Sequence, residues 1–288
     1  MIKTLLKFML CVLVYTIVFS IAGAILPFSA VFNEMKSSGG SSLSMLLMLV
    51  YAAWICFTMY FIVRHSCIVG KKLLVSLVIV MFFNLSFMTQ FETLIFGSAF
   101  PALTKQDVFL IMASALLGIA AAAFLIVLFF QNKNAAAAEF KFSIKSILIK
   151  LGIIGIIYSC VYFLFGYFVA WQFEELRLFY TGSSANDITQ SYAETALRSQ
   201  TLLFFFQILR GILFGVFILP LKKMIDDKKI FIISVCLVYL GTGFQLILPN
   251  PLFPDIVRYA HLIEMTSSML LFGLIVGFIL WRKESRPV

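Results

Sequence analysis

The chain has 288 residues, of which 62% are hydrophobic and 12% are charged, and its mean hydropathy is +1.06. Soluble domains contain about 45 to 50% apolar residues, so this composition excludes a soluble globular protein and indicates an integral membrane protein. The formal net charge of +9 is explained by basic loops beside anionic lipid headgroups, so we expect membrane lipids and no nucleic acid as partners.

Eight apolar segments have the length of about 20 residues that a membrane-spanning helix requires. They lie near residues 5–27, 43–63, 73–90, 108–130, 147–171, 201–220, 230–249 and 259–281, and the third is the shortest. The sequence therefore predicts an all-α polytopic membrane protein, with one transmembrane domain over residues 1–288. A signal peptide ending at Ala30 is the alternative for the first segment, whose apolar stretch is longer than the usual signal core of about 7 to 15 residues.

Basic residues are distributed unevenly between the two sides of the predicted bundle. Sixteen of the 22 lysines and arginines fall on the side of both termini, five fall on the other side, and Arg210 lies within a span. By the positive-inside rule, both termini are expected to be cytoplasmic. Nine of the 13 acidic residues fall on the outer side, which indicates that polar chemistry takes place there. The expected location is the cytoplasmic membrane of a bacterial cell, crossed several times.

Arg210 stands near the middle of the sixth span, in the stretch FFFQILRGILFG. An arginine at the centre of a spanning helix costs about 2.5 to 3.5 kcal/mol, which the surrounding Leu, Ile and Phe residues offset. Because side chains lean toward the N-terminus of their helix, Arg210 is expected to point toward the outer side. Gln207, three residues earlier, shares its face. We expect the charge to hold a glutamate of a neighbouring helix or an anionic ligand, or to reach the lipid surface.

Several acidic groups at the outer ends of the spans are candidate partners for Arg210. Glu92 follows the third span and Glu174, with its neighbour Glu175, follows the fifth. His261 and Glu264 are three residues apart at the start of the eighth span, so they share one face of a helix. This spacing suits a structural hydrogen bond, a proton relay or part of a metal site, although a zinc site with a single histidine is uncommon.

The connection 172–200 is the longest on the outer side and is expected to be partly helical. Asn186 or Asp187 is placed to cap a helix there, which would form a cover over the bundle or a simple extension of the sixth span. The stretches QFETLIFGS, from Gln90, and QFEELRLFYTGS, from Gln172, are similar and follow two spans of the same direction. An ancestral repeat and chance similarity are both open explanations.

Two G-x-x-x-G spacings, at Gly211 and Gly215 and at Gly273 and Gly277, predict tight packing between helices. No sequence motif for a cofactor, a metal site or a known catalytic centre is present, so none of these is expected. The spans also lack the mid-membrane Gly or Pro breaks that many transporters have.

The favoured interpretation is a transporter or permease that binds an anionic small molecule or lipid in an outward-facing intramembrane cavity. Arg210 and Gln207 would form the floor of the cavity. Its mouth would be formed by four titratable side chains, namely Glu92, Glu174, His261 and Glu264.

Two alternatives belong to other classes. A membrane-embedded enzyme would act on a lipid-linked substrate at the outer leaflet, with Glu92, Glu174 or His261 in catalysis and Arg210 holding a phosphate. In a non-catalytic assembly or regulatory subunit, these charges would only pair with one another.

Overall fold

The computed structural model describes residues 2–38, 42–95, 97, 100, 102–132, 143–182, 184, 197–250, 252 and 254–281. Within these residues, eight helical segments are long and apolar enough to cross a membrane, and no β-strand occurs. The predicted all-α fold with eight spans is confirmed. The part of connection 172–200 around Asn186 and Asp187 lies outside the described residues.

The first four spans and their connections begin with α1 (Ile2–Ile25), followed by the short α2 (Ala30–Ser38) and by α3 (Ser42–Arg64). The third span consists of α4 (Gly70–Phe82), a π-helical turn (Phe83–Phe87) and α5 (Met88–Ile95). The fourth span is α6 (Lys105–Phe130).

The last four spans begin with α7 (Ile144–Phe168), which ends in a 3₁₀ turn (Ala170–Gln172) and is followed by the short α8 (Glu174–Thr181). The sixth span is α9 (Leu197–Ile218), continued by α10 (Pro220–Met224). The last two spans are α11 (Lys228–Phe244), which ends in the 3₁₀ turn Gln245–Ile247, and α12 (Asp255–Trp281).

The third span differs most from its predicted bounds. It covers Gly70–Ile95, which is 26 residues, and so it is not the shortest span. The residues Thr89, Gln90 and Glu92 suggest a loop by composition, yet they continue the helix. Thr89 donates its hydroxyl hydrogen to the carbonyl oxygen of Leu85 at 3.0 Å, so this polar side chain is satisfied by its own helix. The extension carries Glu92 on a helix.

Three helix pairs make the most extensive contacts of the bundle, namely α11 with α12, α7 with α9, and α1 with α6. Glycines allow the α7 and α9 backbones to approach closely: a Cβ atom built on Gly211 would lie 2.5 Å from the Cβ of Tyr158 and 2.8 Å from the Cα of Gly155. Gly273 and Gly277 face α11 in the same way. Both G-x-x-x-G spacings therefore lie in helix contacts, as predicted.

A buried aspartate fixes the start of α6. The Asp107 carboxylate accepts hydrogen bonds from the backbone N–H and the hydroxyl of Ser29, both at 2.8 Å, and from the backbone N–H and the hydroxyl of Thr104, at 3.0 and 2.7 Å. With the Thr104 side chain accepting from Asp107 N–H, this forms a capping box. The α1–α2 connection is thereby tied to α6, so Asp107 has a structural role.

Candidate functional site

Arg210 is the centre of a polar cluster within the bundle. Its guanidinium Nη2 lies 2.8 Å from Oε2 of Glu92, and its Nη1 donates a hydrogen bond to Oε1 of Gln207 at 3.0 Å. Arg210 is only 2% exposed, whereas Glu92 is 29% exposed. We call Arg210, Glu92 and Gln207 the Arg210 cluster. Of the glutamates that the sequence offered as partners, the structure pairs Glu92 with Arg210.

The π-helical turn sets the direction in which Glu92 points. A π turn inserts one extra residue into an α-helix, which rotates everything after it by about 100° relative to an uninterrupted helix. Glu92 follows the turn Phe83–Phe87 by five positions, so its contact with Arg210 depends on that rotation. Ring contacts from Phe83 to Phe217, at 4.4 Å, and from Phe91 to Phe206, at 5.5 Å, hold the same span against α9.

Aromatic rings flank the guanidinium of Arg210. Its Cζ atom lies 5.5 Å from the ring centroid of Tyr158 and 5.9 Å from that of Phe206, within the range of cation–π attraction. Tyr158 is buried and packs against Phe214 and Phe272 at 5.3 and 5.0 Å. The arginine therefore sits between a carboxylate and aromatic faces that favour its charged form.

Two hydrogen-bond donors of the Arg210 cluster lack an acceptor. Within the described part of the chain, Nε of Arg210 and Nε2 of Gln207 are buried and make no hydrogen bond. A buried donor without an acceptor costs about 1 to 3 kcal/mol, and more when the group is charged. The cluster thus has capacity for an additional acceptor, such as a carboxylate or phosphate oxygen.

A second polar group, which we call the His261 chain, consists of Tyr180, His261 and Glu264. The hydroxyl of Tyr180 lies 3.1 Å from Nε2 of His261, and Nδ1 of His261 lies 3.2 Å from Oε2 of Glu264. Glu264 is 8% exposed and belongs to α12, as does His261, whereas Tyr180 comes from α8. The chain joins the connection after the fifth span to the eighth span.

The protonation state of Tyr180 bears on which groups donate the hydrogen bonds of the His261 chain. The Tyr180 side chain is 39% exposed, and partial burial, together with the carboxylates of Glu92 and Glu264, raises the pKa of its phenol above the ordinary value. The phenol is therefore protonated at neutral pH, and its hydroxyl is positioned to donate to Nε2 of His261. In the tautomer that accepts this bond, the imidazole proton is on Nδ1, 3.2 Å from the carboxylate of Glu264. Both ring nitrogens of His261 are engaged, so neither is presented as a free general base.

The Arg210 cluster and the His261 chain lie close enough to interact. The charges of Glu92 and Glu264 both act on Tyr180, and those of Arg210, Glu92 and Glu264 all act on Tyr158. Spans three, six and eight therefore contribute to one polar region, which contains Arg210, Gln207, Glu92, His261 and Glu264, and Tyr158 of span five borders it.

Glu174 is not part of this polar region. It is exposed in the first turn of α8, where Phe173 before it has an extended backbone (φ −83°, ψ 120°). The stretches from Gln90 and from Gln172 thus have different conformations, since Gln90 to Glu92 lie within α5. Among the described residues, no three His, Cys, Asp or Glu side chains converge in a way that could hold a metal ion.

Sequence reasoning did not identify two features of the polar region. Tyr180 gives no signal beyond being one of several aromatic residues in a connection, because its role depends on the position of α8 beside α12. The π turn also has no residue signature. The third span is interrupted at Phe83–Phe87, although this stretch contains neither Gly nor Pro.

Comparison with known proteins does not extend these observations. No protein-family model matches the chain, and neither the curated proteins nor the solved structures give a match. The fold and the polar region define a polytopic helical membrane protein with a buried, partly open ion pair. Any functional conclusion therefore depends on the geometry of that region.

Proposed function

We propose that this protein is a transporter that binds an anionic or amphiphilic substrate at Arg210. The observation that carries the proposal is the Arg210 cluster: a buried guanidinium with a free donor, a second free donor on Gln207, and a partner carboxylate that remains 29% exposed. A charged pair within a bundle is a weak stabiliser once desolvation is counted, which favours a functional reason for its presence. Charged side chains within spans commonly mark substrate pathways.

In this proposal, Glu92 pairs with Arg210 when no substrate is bound, and the anionic group of the substrate takes the place of Glu92 when the substrate binds. Protonation of Glu92 removes its charge and releases the guanidinium, which then accepts the substrate anion. One proton, which Glu92 takes up, and one substrate anion enter together. The net charge of the site is therefore zero both before and after the substrate binds.

The interruption of the third span also supports the transport proposal, because transport requires a change of conformation. Broken helices line the substrate sites of many secondary transporters, and π turns are frequent at functional sites. The turn Phe83–Phe87 lies between α4, which makes the larger contact with α6, and α5, which carries Glu92. We place the protein in the bacterial cytoplasmic membrane, with the Glu92 face outward and both termini in the cytoplasm.

The test uses full-length protein in proteoliposomes that contain a trapped pH-sensitive dye. Three probes that do not cross the bilayer unaided sample the expected ligand chemistry: inorganic phosphate, succinate and octanesulfonate. We expect at least one of them to raise the thermal unfolding temperature of the wild-type protein and to acidify the lumen on addition outside. Arg210→Gln is expected to abolish both effects, whereas Glu92→Gln retains binding and loses its dependence on external pH.

Arg258→Gln is the matched control, because Arg258 is also buried, at 3% exposure, and pairs with Asp255 in an ion pair on α12. This variant is expected to respond to the probe as the wild type does. If no probe affects the wild type, or if Arg210→Gln responds normally, the transport proposal is wrong. The ion pair is then structural, as in a non-catalytic subunit.

A further inference from the structure

A cavity lies at the opposite end of the bundle from Glu92. It has a volume of about 230 Å³, is partly open, and is lined by the N-terminal turns of α1, the C-terminal end of α3 and the end of α6. Its walls carry three cationic side chains, namely Lys3, Lys7 and Arg64, and the aromatic rings of Tyr60 and Phe129. We call this cavity the basic cleft. Three positive charges in one small cleft repel one another unless an anion lies between them.

The cations of the basic cleft are available for a ligand. Within the described residues, Lys3, Lys7 and Arg64 form no ion pair with an acidic side chain, and the only ring contact of these three is Lys7 Nζ, at 5.3 Å from the Phe129 centroid. The ring of Tyr60 is fixed by Phe8 and Phe130, at 6.2 and 4.9 Å. Its hydroxyl makes no hydrogen bond to a described residue, so it adds a neutral donor to the three charges.

The surroundings of the basic cleft favour a lipid over a dissolved anion. Leu5, Leu6 and Leu128 lie on the helices that form the cleft, and they are 60%, 63% and 55% exposed. Such side chains at the end of a spanning helix meet acyl chains, so the cleft opens where the headgroup region begins. A phosphate held by cations and a phenol above exposed leucines matches the chemistry of a phospholipid.

We propose that the basic cleft binds the phosphate of an anionic phospholipid headgroup. Lys3, Lys7 and Arg64 neutralise the phosphate, Tyr60 donates a hydrogen bond to it, and the acyl chains extend along α1 and α6. Basic pockets between spanning helices on the cytoplasmic side are suited to such headgroups. The proposal does not depend on transport or on Arg210, because the cleft and the polar region share no residue.

Native mass spectrometry of the full-length protein in detergent tests this assignment. The probes are short-chain phosphatidylglycerol, short-chain phosphatidylcholine and inorganic phosphate. The wild type is expected to bind phosphatidylglycerol in preference to phosphatidylcholine. The variant Lys3→Gln/Lys7→Gln/Arg64→Gln is expected to lose about 100-fold in affinity, as three charge contacts at an anionic membrane surface imply.

The control variant Lys71→Gln/Lys72→Gln/Lys145→Gln removes the same charge from exposed lysines outside the cleft. It is expected to bind phosphatidylglycerol as the wild type does, and gel filtration of both variants reports whether they remain folded. Equal losses in the two variants would show that surface charge alone attracts the lipid, and the site would be rejected. Displacement of the lipid by an equal concentration of inorganic phosphate would show that the cleft takes free phosphate, which would overturn the lipid assignment.

Discussion

Arg210 and Glu92 form one ion pair, but they are buried to different extents, with 2% and 29% exposure. If Arg210 is removed, Glu92 can still be hydrated through its exposed edge. If Glu92 is removed, the guanidinium remains buried and loses its counterion. The two halves of the pair should therefore contribute unequally to stability, since the penalty for an unpaired charge depends on its burial.

We predict that Glu92→Leu destabilises the protein by about 3 to 5 kcal/mol, the range for an uncompensated buried charge, and that Arg210→Met destabilises it by less. The double variant Glu92→Leu/Arg210→Met has no buried guanidinium, so it should regain most of the stability that Glu92→Leu alone loses. Chemical unfolding in detergent measures all three variants. Equal effects of the two single substitutions would contradict this account of the pair.

At the scale of the helices, the α7–α9 contact depends on glycine at the point of closest approach. We predict that Gly211→Ala forces these helices apart, because the new Cβ would lie 2.5 Å from the Cβ of Tyr158. Overpacking of this kind costs about 1 to 3 kcal/mol. Thermal unfolding provides the measurement.

Gly152→Ala is the matched control on α7, because no atom lies within 4 Å of its added Cβ. A glycine in the middle of a helix is destabilising relative to alanine by about 0.5 to 1 kcal/mol, so this substitution should be neutral or stabilising. If both alanine variants lowered the unfolding temperature equally, close packing at Gly211 would not be the cause.

The π turn leads to another prediction at the scale of the helices. Deletion of Leu85 should convert the turn to regular α-helix and rotate α5 by about 100°. Glu92 and Phe91 would then turn away from α9. Cysteines placed at Phe91 and Phe206, whose rings lie 5.5 Å apart, should be bridged by a short bifunctional thiol reagent in an otherwise cysteine-free protein and should not be bridged after the deletion. Ser86→Ala, which preserves the chain length, should leave the cross-link intact.

At the scale of the whole molecule, the charge distribution predicts which side of the membrane each loop occupies. We expect a membrane-impermeant maleimide to label Lys105→Cys on intact bacterial cells, whereas Lys72→Cys should react only after permeabilisation. Both positions are exposed and both substitutions remove one lysine, so their charge effects match. The reverse pattern would show that the termini face outward and would reverse the direction of the proposed transport.

Much of the fold could be predicted from the sequence because insertion depends on length and hydrophobicity, which are local properties. The direction of Arg210 was also predictable, since it follows from the lean of helical side chains. Its partner was not, because sequence position left Glu92, Glu174 and Glu264 equivalent. The choice among them depends on the rotation introduced at Phe83–Phe87 and on the contacts of α8, and neither has a signature in the residue types.

The pairing of Arg210 with Glu92 also has a consequence for the order in which the protein is made. Glu92 belongs to the third span and Arg210 to the sixth, so the carboxylate has entered the membrane before the arginine is synthesised. During that interval Glu92 lacks the partner that it has in the folded protein. The sixth span then inserts beside a counterion that is already present, which lowers the barrier to releasing a helix with a central positive charge from the insertion machinery.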